Sequence, residues 1–213
     1  MTLYHALSIA LILSTLALLW MKHIVTAIKV LSVQSLILAL MVTTVAAQTK
    51  TLDLYVIAAL TIVVKAVGIP WVLWMTMKKI GVHRETEKLV GRELSLLIGA
   101  VILMVSYVVT HRLTLPEVTL GRGVLSISIA MLLTGLFIMT THQKAIMQGI
   151  GLVVMENGLF LAALATTYGM PFLVDIGVFL DVFVAVVLIS MLTYRIDRVF
   201  KSTHTENLRR LKG

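Results

Sequence analysis

Two carboxylates, Glu156 and Asp181, lie at the centres of consecutive apolar stretches that are each long enough to cross a membrane. Lys65 occupies the middle of a third such stretch, and Gln34 the middle of a fourth. A bare charge at that depth costs at least about 2.5 to 3.5 kcal/mol, so charged residues there usually serve function. Buried carboxylates exchange protons as neighbouring charges change. The four residues therefore predict a relay that moves protons or ions through lipid-embedded helices.

A structural interpretation of the same residues stays open. Lys65 would then neutralise one carboxylate, and the buried ion pair would fix the register of the helices. Gln34 is typical of the side chains that hydrogen-bond between helices in membrane bundles. Asp175 lies six residues before Asp181, on a different face and nearer the end of the same apolar stretch. It is a candidate for the relay or for the membrane interface.

The composition sets the class of protein. Of the 213 residues, 59% are hydrophobic and 13% are charged, whereas soluble domains are about 25% charged. The stretches lack the alternation of apolar and polar residues that a β-barrel needs. The sequence predicts an all-α integral membrane protein with seven transmembrane helices, because apolar runs sufficient to cross a hydrocarbon core of about 30 Å cover residues 3–21, 24–46, 54–77, 94–111, 123–141, 145–167 and 172–194.

Lysine and arginine concentrate in alternate connections. Thirteen of the eighteen fall after the first, third and fifth predicted helices and in the tail 195–213, while Lys50, Arg112 and Arg122 lie in the opposite loops. Because basic loops stay cytoplasmic, we predict an outer amino terminus and a cytoplasmic carboxyl terminus in the inner (cytoplasmic) membrane. The net charge of +8 follows from this topology. We expect a lipid bilayer as the surrounding partner and no nucleic acid.

The depths of the four polar residues follow from the rise of a helix. Glu156 lies about 17 Å from the inner end of its helix, and Asp181 about 14 Å from the outer end of the next. Gln34 lies about 15 Å from the inside, and Lys65 about 16 Å from the outside. In a core of about 30 Å, all four lie near the midplane. Such a row predicts charge moving along the membrane plane, or coupled sideways to neighbouring subunits.

The sequence offers no ligands for a redox cofactor. It contains no cysteine, which excludes thiolate-bound iron–sulfur clusters, covalently attached haem and disulfides. Its six histidines lie near predicted helix ends or in basic stretches, where we expect contact with water and headgroups. Motifs for phosphate binding and for nucleophilic hydrolysis are absent. We therefore expect no cofactor, no metal and no catalytic residue in this chain.

The chain is predicted to be a single membrane domain, residues 1–213, with a possible internal repeat. A shift of 122 residues superposes Lys22 on Lys144 and Gln34 on Glu156. Residues 1–77 and 123–194 would then be degenerate three-helix halves, joined by a basic loop and a linking helix in residues 78–122.

A proline follows the central lysine of the third predicted helix. Pro70 lies one turn after Lys65 and has no backbone N–H. We expect a bend there, with an unpaired carbonyl near Ala66.

Three segments together carry a family resemblance: residues 148–158 around Glu156, residues 170–186 around Asp181, and residues 64–70 around Lys65. They resemble HyfE, the E component of hydrogenase-4 and formate hydrogenlyase-type complexes. The last three predicted helices are also similar to NuoK of respiratory complex I and to MrpC of multisubunit sodium/proton antiporters. NuoK-like proteins carry one buried glutamate on each of two helices. Asp181 stands at the second position, and Glu156 lies about one turn from the first, where Val153 aligns.

The resemblance implies a small, cofactor-free and non-catalytic subunit in the membrane arm of an oxidoreductase complex. Its neighbours would be antiporter-like membrane subunits and a quinone- or hydrogenase-proximal membrane subunit, with peripheral iron–sulfur and nickel–iron subunits in the same complex. It would couple redox chemistry in those partners to proton or sodium translocation, with Glu156 and Asp181 as relay groups tuned by Lys65.

Two other functions remain open from the sequence. Seven helices with a charged site at the midplane also suit a self-standing secondary transporter. A purely structural scaffold would use the same small-residue helix faces to hold larger subunits in register.

Overall fold

The computed structural model describes residues 2–80, 90–112 and 121–167, together with positions 183, 185–187 and 189–191. Five long apolar stretches and one shorter one form a helical bundle, which confirms the predicted class of helical membrane protein. The helices are α1 (Thr2–Trp20), α2 (Ile24–Thr49), α3 (Leu52–Leu60), a π-helical segment (Thr61–Gly68), α4 (Ile69–Ile80), α5 (Arg92–Arg112), α6 (Arg122–Thr141) and α7 (Ala145–Thr167).

Five of these stretches are long and apolar enough to cross a membrane: Ile24–Thr49, Leu52–Lys79, Arg92–Arg112, Arg122–Thr141 and Ala145–Thr166. The shorter apolar helix is Ala6–Trp20. The first six predicted segments thus fall on helices within a few residues of their expected ends. The seventh, 172–194, lies largely outside the described residues. Seven spans, and the orientation in the membrane, stay predictions.

The third stretch runs continuously through α3, the π-helical segment and α4. In a π-helix each N–H bonds the carbonyl five residues earlier, and such segments are rare and often found at functional sites. Here the wider turns extend from Thr61 to Gly68 and contain Lys65. The distortion that we expected at Pro70 therefore precedes the proline and surrounds the lysine.

Helix α2 is the centre of the bundle. It packs against α1, against each part of the third stretch and against α7, while α5 lies to one side against α1 and α6. Helices α6 and α7 form the most extensive pair. A central position for α2 brings its middle residues within reach of side chains from three other helices.

Two apolar clusters fill the bundle, one towards each end of the helices. The first cluster includes Leu18, Ile28, Leu31, Leu73, Ile150 and Val154. The second cluster includes Leu11, Leu38, Ile57, Met131, Phe160 and Leu161. On every helix that contributes to both clusters, the two sets of residues are separated by a few positions in the middle of the helix. Gln34, Lys65 and Glu156, which the sequence analysis singled out, lie at those positions.

Candidate functional site

A buried ion pair joins the third stretch to α7. Lys65 is 0% exposed and Glu156 is 2% exposed, and the Nζ atom of Lys65 contacts Oε2 of Glu156. Two of the charged residues that the sequence singled out are thus direct partners. Burying both charges is costly, and their mutual attraction offsets that cost only with good geometry and further hydrogen bonds.

Further contacts to Lys65 come from the same turn of α7. Its Nζ atom donates to Oδ1 of Asn157 at 3.2 Å and lies 5.2 Å from the centre of the Phe160 ring. Asn157 and Phe160 are one and four residues after Glu156, so one helix turn supplies a carboxylate, an amide oxygen and an aromatic face. All three interact favourably with an ammonium group.

A chain of side-chain hydrogen bonds leads from Lys65 to α1. Lys65 donates to Asn157, and the Nδ2 group of Asn157 in turn donates to Oε1 of Gln34 at 3.5 Å. The Nε2 group of Gln34 donates to Oγ1 of Thr15 at 2.8 Å, and Thr15 donates to the carbonyl of Leu11 at 2.7 Å. The chain therefore crosses from the third stretch through α7 and α2 to α1.

We call the five residues Thr15, Gln34, Lys65, Glu156 and Asn157 the polar layer. Each of them is buried. On its own helix, each lies between the residues of the first cluster and those of the second. The layer is therefore a lateral arrangement of polar groups between two apolar regions.

The charge on Lys65 sets the direction of this hydrogen-bond chain. An ammonium group has three donors and no acceptor, so Asn157 must turn its oxygen towards it. The NH₂ group of Asn157 then faces Gln34, which accepts through its oxygen and donates through its own NH₂ group to Thr15. Every bond from Lys65 to α1 thus has its donor on the Lys65 side. If Lys65 were neutral, its charge would no longer fix the donor-to-acceptor direction of these bonds.

Ser32 of α2 supports the backbone beside Lys65. Its hydroxyl donates to the carbonyl of Ala66, four residues before Pro70, whose ring nitrogen has no hydrogen to offer. The unpaired carbonyl that the sequence predicted near Ala66 thus has a side-chain donor from the neighbouring helix. This bond ties the π-helical segment to α2 next to the ion pair.

Glycines allow α6 to approach α7 at the level of the polar layer. A Cβ atom added at Gly158 would lie 2.6 Å from the backbone nitrogen of Leu132, and one at Gly135 would lie 2.5 Å from that of Met155. Gly151 faces the backbone of α6 in the same way. Such small residues let helix backbones come into contact in membrane bundles. The backbone on both sides of Glu156 is thereby fixed against α6.

We expect Gly158→Ala to destabilise the protein by about 1 to 3 kcal/mol, because the added methyl group forces two backbones apart. Gly149→Ala is the matched control on the same helix, since its Cβ atom would meet only side chains, at 3.8 and 4.0 Å. Thermal unfolding in detergent, followed by circular dichroism, measures both. Equal unfolding temperatures for the two variants would contradict the close contact between α6 and α7.

Three of the five residues proposed from the sequence as relay groups lie together: Lys65, Glu156 and Gln34. Asp175 and Asp181 lie outside the described residues. Phe183, two positions after Asp181 in the sequence, packs against the first cluster and lies near Gly68 of the third stretch. The relay role itself stays a prediction for all five.

The expectation for the histidines is wrong for His142. It lies at the end of α6 as predicted, but only 4% of its surface is exposed. Its Nδ1 atom lies 3.0 Å from the carbonyl oxygen of Ile138 in the preceding turn, so the ring turns back onto its own helix and away from solvent. Among the described residues, no three histidine, cysteine or acidic side chains lie close enough together to hold a metal ion.

Comparison with known proteins adds a second line of support for a membrane subunit. Over 207 residues the chain is 28% identical to an uncharacterised protein of Mycobacterium tuberculosis, covering 95% of this chain and 92% of that protein. It is also similar to hydrogenase-4 component E. The Escherichia coli K12 and Shigella flexneri proteins of that name are 26% identical over 180 residues, which is 84% of this chain and 83% of theirs. No protein-family model and no solved structure matches.

The sequence analysis did not single out four residues of the site: Asn157, Thr15, Ser32 and Phe160. Asn157 carried a weak signal, because a second polar residue directly follows the buried glutamate. Serine and threonine in apolar helices usually bond to their own backbone, so Thr15 and Ser32 gave no sign of contacts between helices. Phe160 looked like an ordinary apolar residue of α7.

Proposed function

We propose that this chain is a membrane subunit of a hydrogenase-like redox complex and that its polar layer takes part in moving protons or sodium ions. Similarity to hydrogenase-4 component E over most of both chains supports membership of such a complex. The observation that carries the ion-moving role is the buried pair of Lys65 and Glu156, extended by amides and a hydroxyl to α1.

The pair has the chemistry that a proton relay needs. A proton can pass from the Lys65 ammonium to the Glu156 carboxylate, which leaves a neutral amine and a carboxylic acid in place of two charges. In a medium of low dielectric the charged and neutral forms lie closer in energy than in water, because burial penalises charge. An additional charge arriving near either residue would then shift the balance between the two forms. In this way a change of charge in a neighbouring subunit would change the protonation of the pair.

The lateral arrangement supports coupling in the membrane plane. The amides and charges of the polar layer follow one level, with apolar clusters above and below. A charge shifted along this level moves from one side of the bundle towards another and does not cross the membrane within the layer. We propose that larger antiporter-like subunits complete the transmembrane path, and that redox chemistry in iron–sulfur and nickel–iron subunits drives it.

The proposal extends to residues beyond those described. Asp181, at the second glutamate position of the NuoK-like pattern, would continue the relay, and Asp175 would join it or face the interface. We also propose that the protein lies in the inner membrane with an outer amino terminus and a cytoplasmic carboxyl terminus. The distribution of lysine and arginine supports this orientation.

Membership of a complex predicts the outcome of a gentle purification. When the tagged chain is extracted from native membranes in mild detergent, we expect large antiporter-like and iron–sulfur proteins to elute with it. An unrelated tagged multi-pass protein from the same membranes, which should not retain these proteins, serves as the control. Mass spectrometry of the eluted fraction is the measurement. A chain that elutes alone and transports ions by itself in vesicles would instead show a self-standing transporter.

A further inference from the structure

A small cavity lies beside the α1 end of the polar layer. It lies between α1, α5 and α6 and offers about 10 Å³ for the centre of a water molecule. Its polar lining residues are Thr15 and Thr134, and apolar side chains such as Ile12, Leu103 and Ile127 form the rest. A cavity must offer about 10 to 15 Å³, measured in this way, and at least two polar partners to hold a water. This cavity meets both conditions at their lower limit.

Thr15, which lines the cavity, retains hydrogen-bonding capacity. A hydroxyl has one donor and two acceptor sites. Thr15 donates to the carbonyl of Leu11 and accepts a hydrogen bond from the amide of Gln34. One acceptor site remains. Thr134, which is buried on α6, is the second hydroxyl-bearing residue in the lining of the same cavity.

We propose that one water molecule binds in this cavity between Thr15 and Thr134 and extends the polar layer from α1 to α6. This inference rests on the proposed function, because it gives the polar layer an end at α6, opposite the end at Lys65. The water donates to the remaining acceptor site of Thr15 and hydrogen-bonds to the hydroxyl of Thr134. Its protons exchange readily, whereas those of the Gln34 and Asn157 amides do not.

The water site would respond to the charge on Lys65 through the chain of hydrogen bonds that joins them. While Lys65 is an ammonium, the amides of Asn157 and Gln34 are held in one orientation, and Thr15 must accept from Gln34. When Lys65 is neutral, both amides can reverse, and Thr15 can donate to Gln34 instead. This reversal changes which lone pair of the Thr15 hydroxyl is available to accept a hydrogen bond from the water. The layer thus transmits a charge state by reorienting amides, with proton exchange confined to its two ends.

The test combines a structure with a transport measurement on the native complex. An electron cryo-microscopy map of the purified wild-type complex, at a resolution that shows water, should contain a peak within hydrogen-bonding distance, about 2.7 to 3.0 Å, of both threonine hydroxyls. The Thr134→Val complex should lack this peak and lose most of its ion uptake per redox turnover in vesicles. Thr140→Val is the matched control, because Thr140 lies on the exposed face of the same helix.

A second variant removes the space and keeps both hydroxyls. Ala130 lines the same cavity, so Ala130→Val should displace the water and reproduce the transport loss of Thr134→Val. A wild-type cavity without a water peak, or one filled by a lipid chain, would overturn the inference. Normal uptake in both cavity variants would overturn it too, provided that Glu156→Gln abolishes uptake. If Glu156→Gln also leaves uptake normal, the proposed function fails with it.

Discussion

Replacing Glu156 by glutamine is expected to abolish ion translocation while the complex still assembles. The two side chains have nearly the same shape, and a glutamine oxygen can accept a hydrogen bond from Lys65, but glutamine cannot take up a proton. Asn157 and the Phe160 ring also remain beside the lysine.

Proton or sodium uptake into vesicles that contain the purified complex measures this effect, with redox turnover followed separately. Glu93→Gln is the matched control, since Glu93 is an exposed glutamate in the first turn of α5. It should leave uptake unchanged. A Glu156→Gln complex that assembles and takes up ions at the wild-type rate would remove Glu156 from the ion path.

The second large effect concerns the ion pair as a unit. Either Lys65→Met or Glu156→Gln alone removes one charge of this contact and keeps the other, and breaking a buried pair in this way costs about 3 to 5 kcal/mol in soluble proteins. The double variant Lys65→Met/Glu156→Gln removes both charges together. We expect it to be more stable than the sum of the two single effects predicts, by about 0.5 to 3 kcal/mol.

Thermal unfolding of the four proteins in detergent gives the interaction energy of this cycle. The side chains of Asn157 and Gln34 are unchanged in all four proteins and can stay hydrogen-bonded to each other in either orientation of the amides. Additive effects of the two substitutions would mean that the contact between Lys65 and Glu156 contributes nothing to the folded protein.

The levels of the polar residues could be predicted from the sequence because the rise of a helix is constant. Counting from the ends of the apolar runs placed Gln34, Lys65 and Glu156 at one depth, and the structure places them in one hydrogen-bonded chain. The helix ends were close to their expected positions for a related reason. The length of an apolar run is set by the hydrocarbon thickness that it must match.

The partners of each residue could not be predicted, since they depend on how helices face one another. Glu156 and Asn157 are neighbours in sequence, but successive residues point about 100° apart on a helix. Both still reach Lys65, and only Asn157 also reaches Gln34. The packing of the assembled bundle determines which side chain reaches which partner. The sequence pattern of a single helix does not contain this information.

The region around Pro70 illustrates a partly successful prediction. A proline must leave the carbonyl four residues earlier without its usual donor, and Ala66 was identified on that ground. The donor from Ser32 and the π-helical turns ahead of the proline depend on the packing of α2 against the third stretch. The sequence therefore indicated where the backbone is irregular, and the tertiary contacts determined the form of the irregularity.

The structural interpretation and the relay differ most clearly in the double variant. A pair that serves only to fix helix register can be replaced by a neutral pair of similar size without loss of function. A relay cannot, because neither methionine nor glutamine carries an exchangeable charge. The decisive measurement is ion uptake per electron transferred, in vesicles of the Lys65→Met/Glu156→Gln complex with assembly checked by its subunit content. A relay predicts an assembled complex with uptake per electron close to zero, and uptake at the wild-type ratio would contradict it.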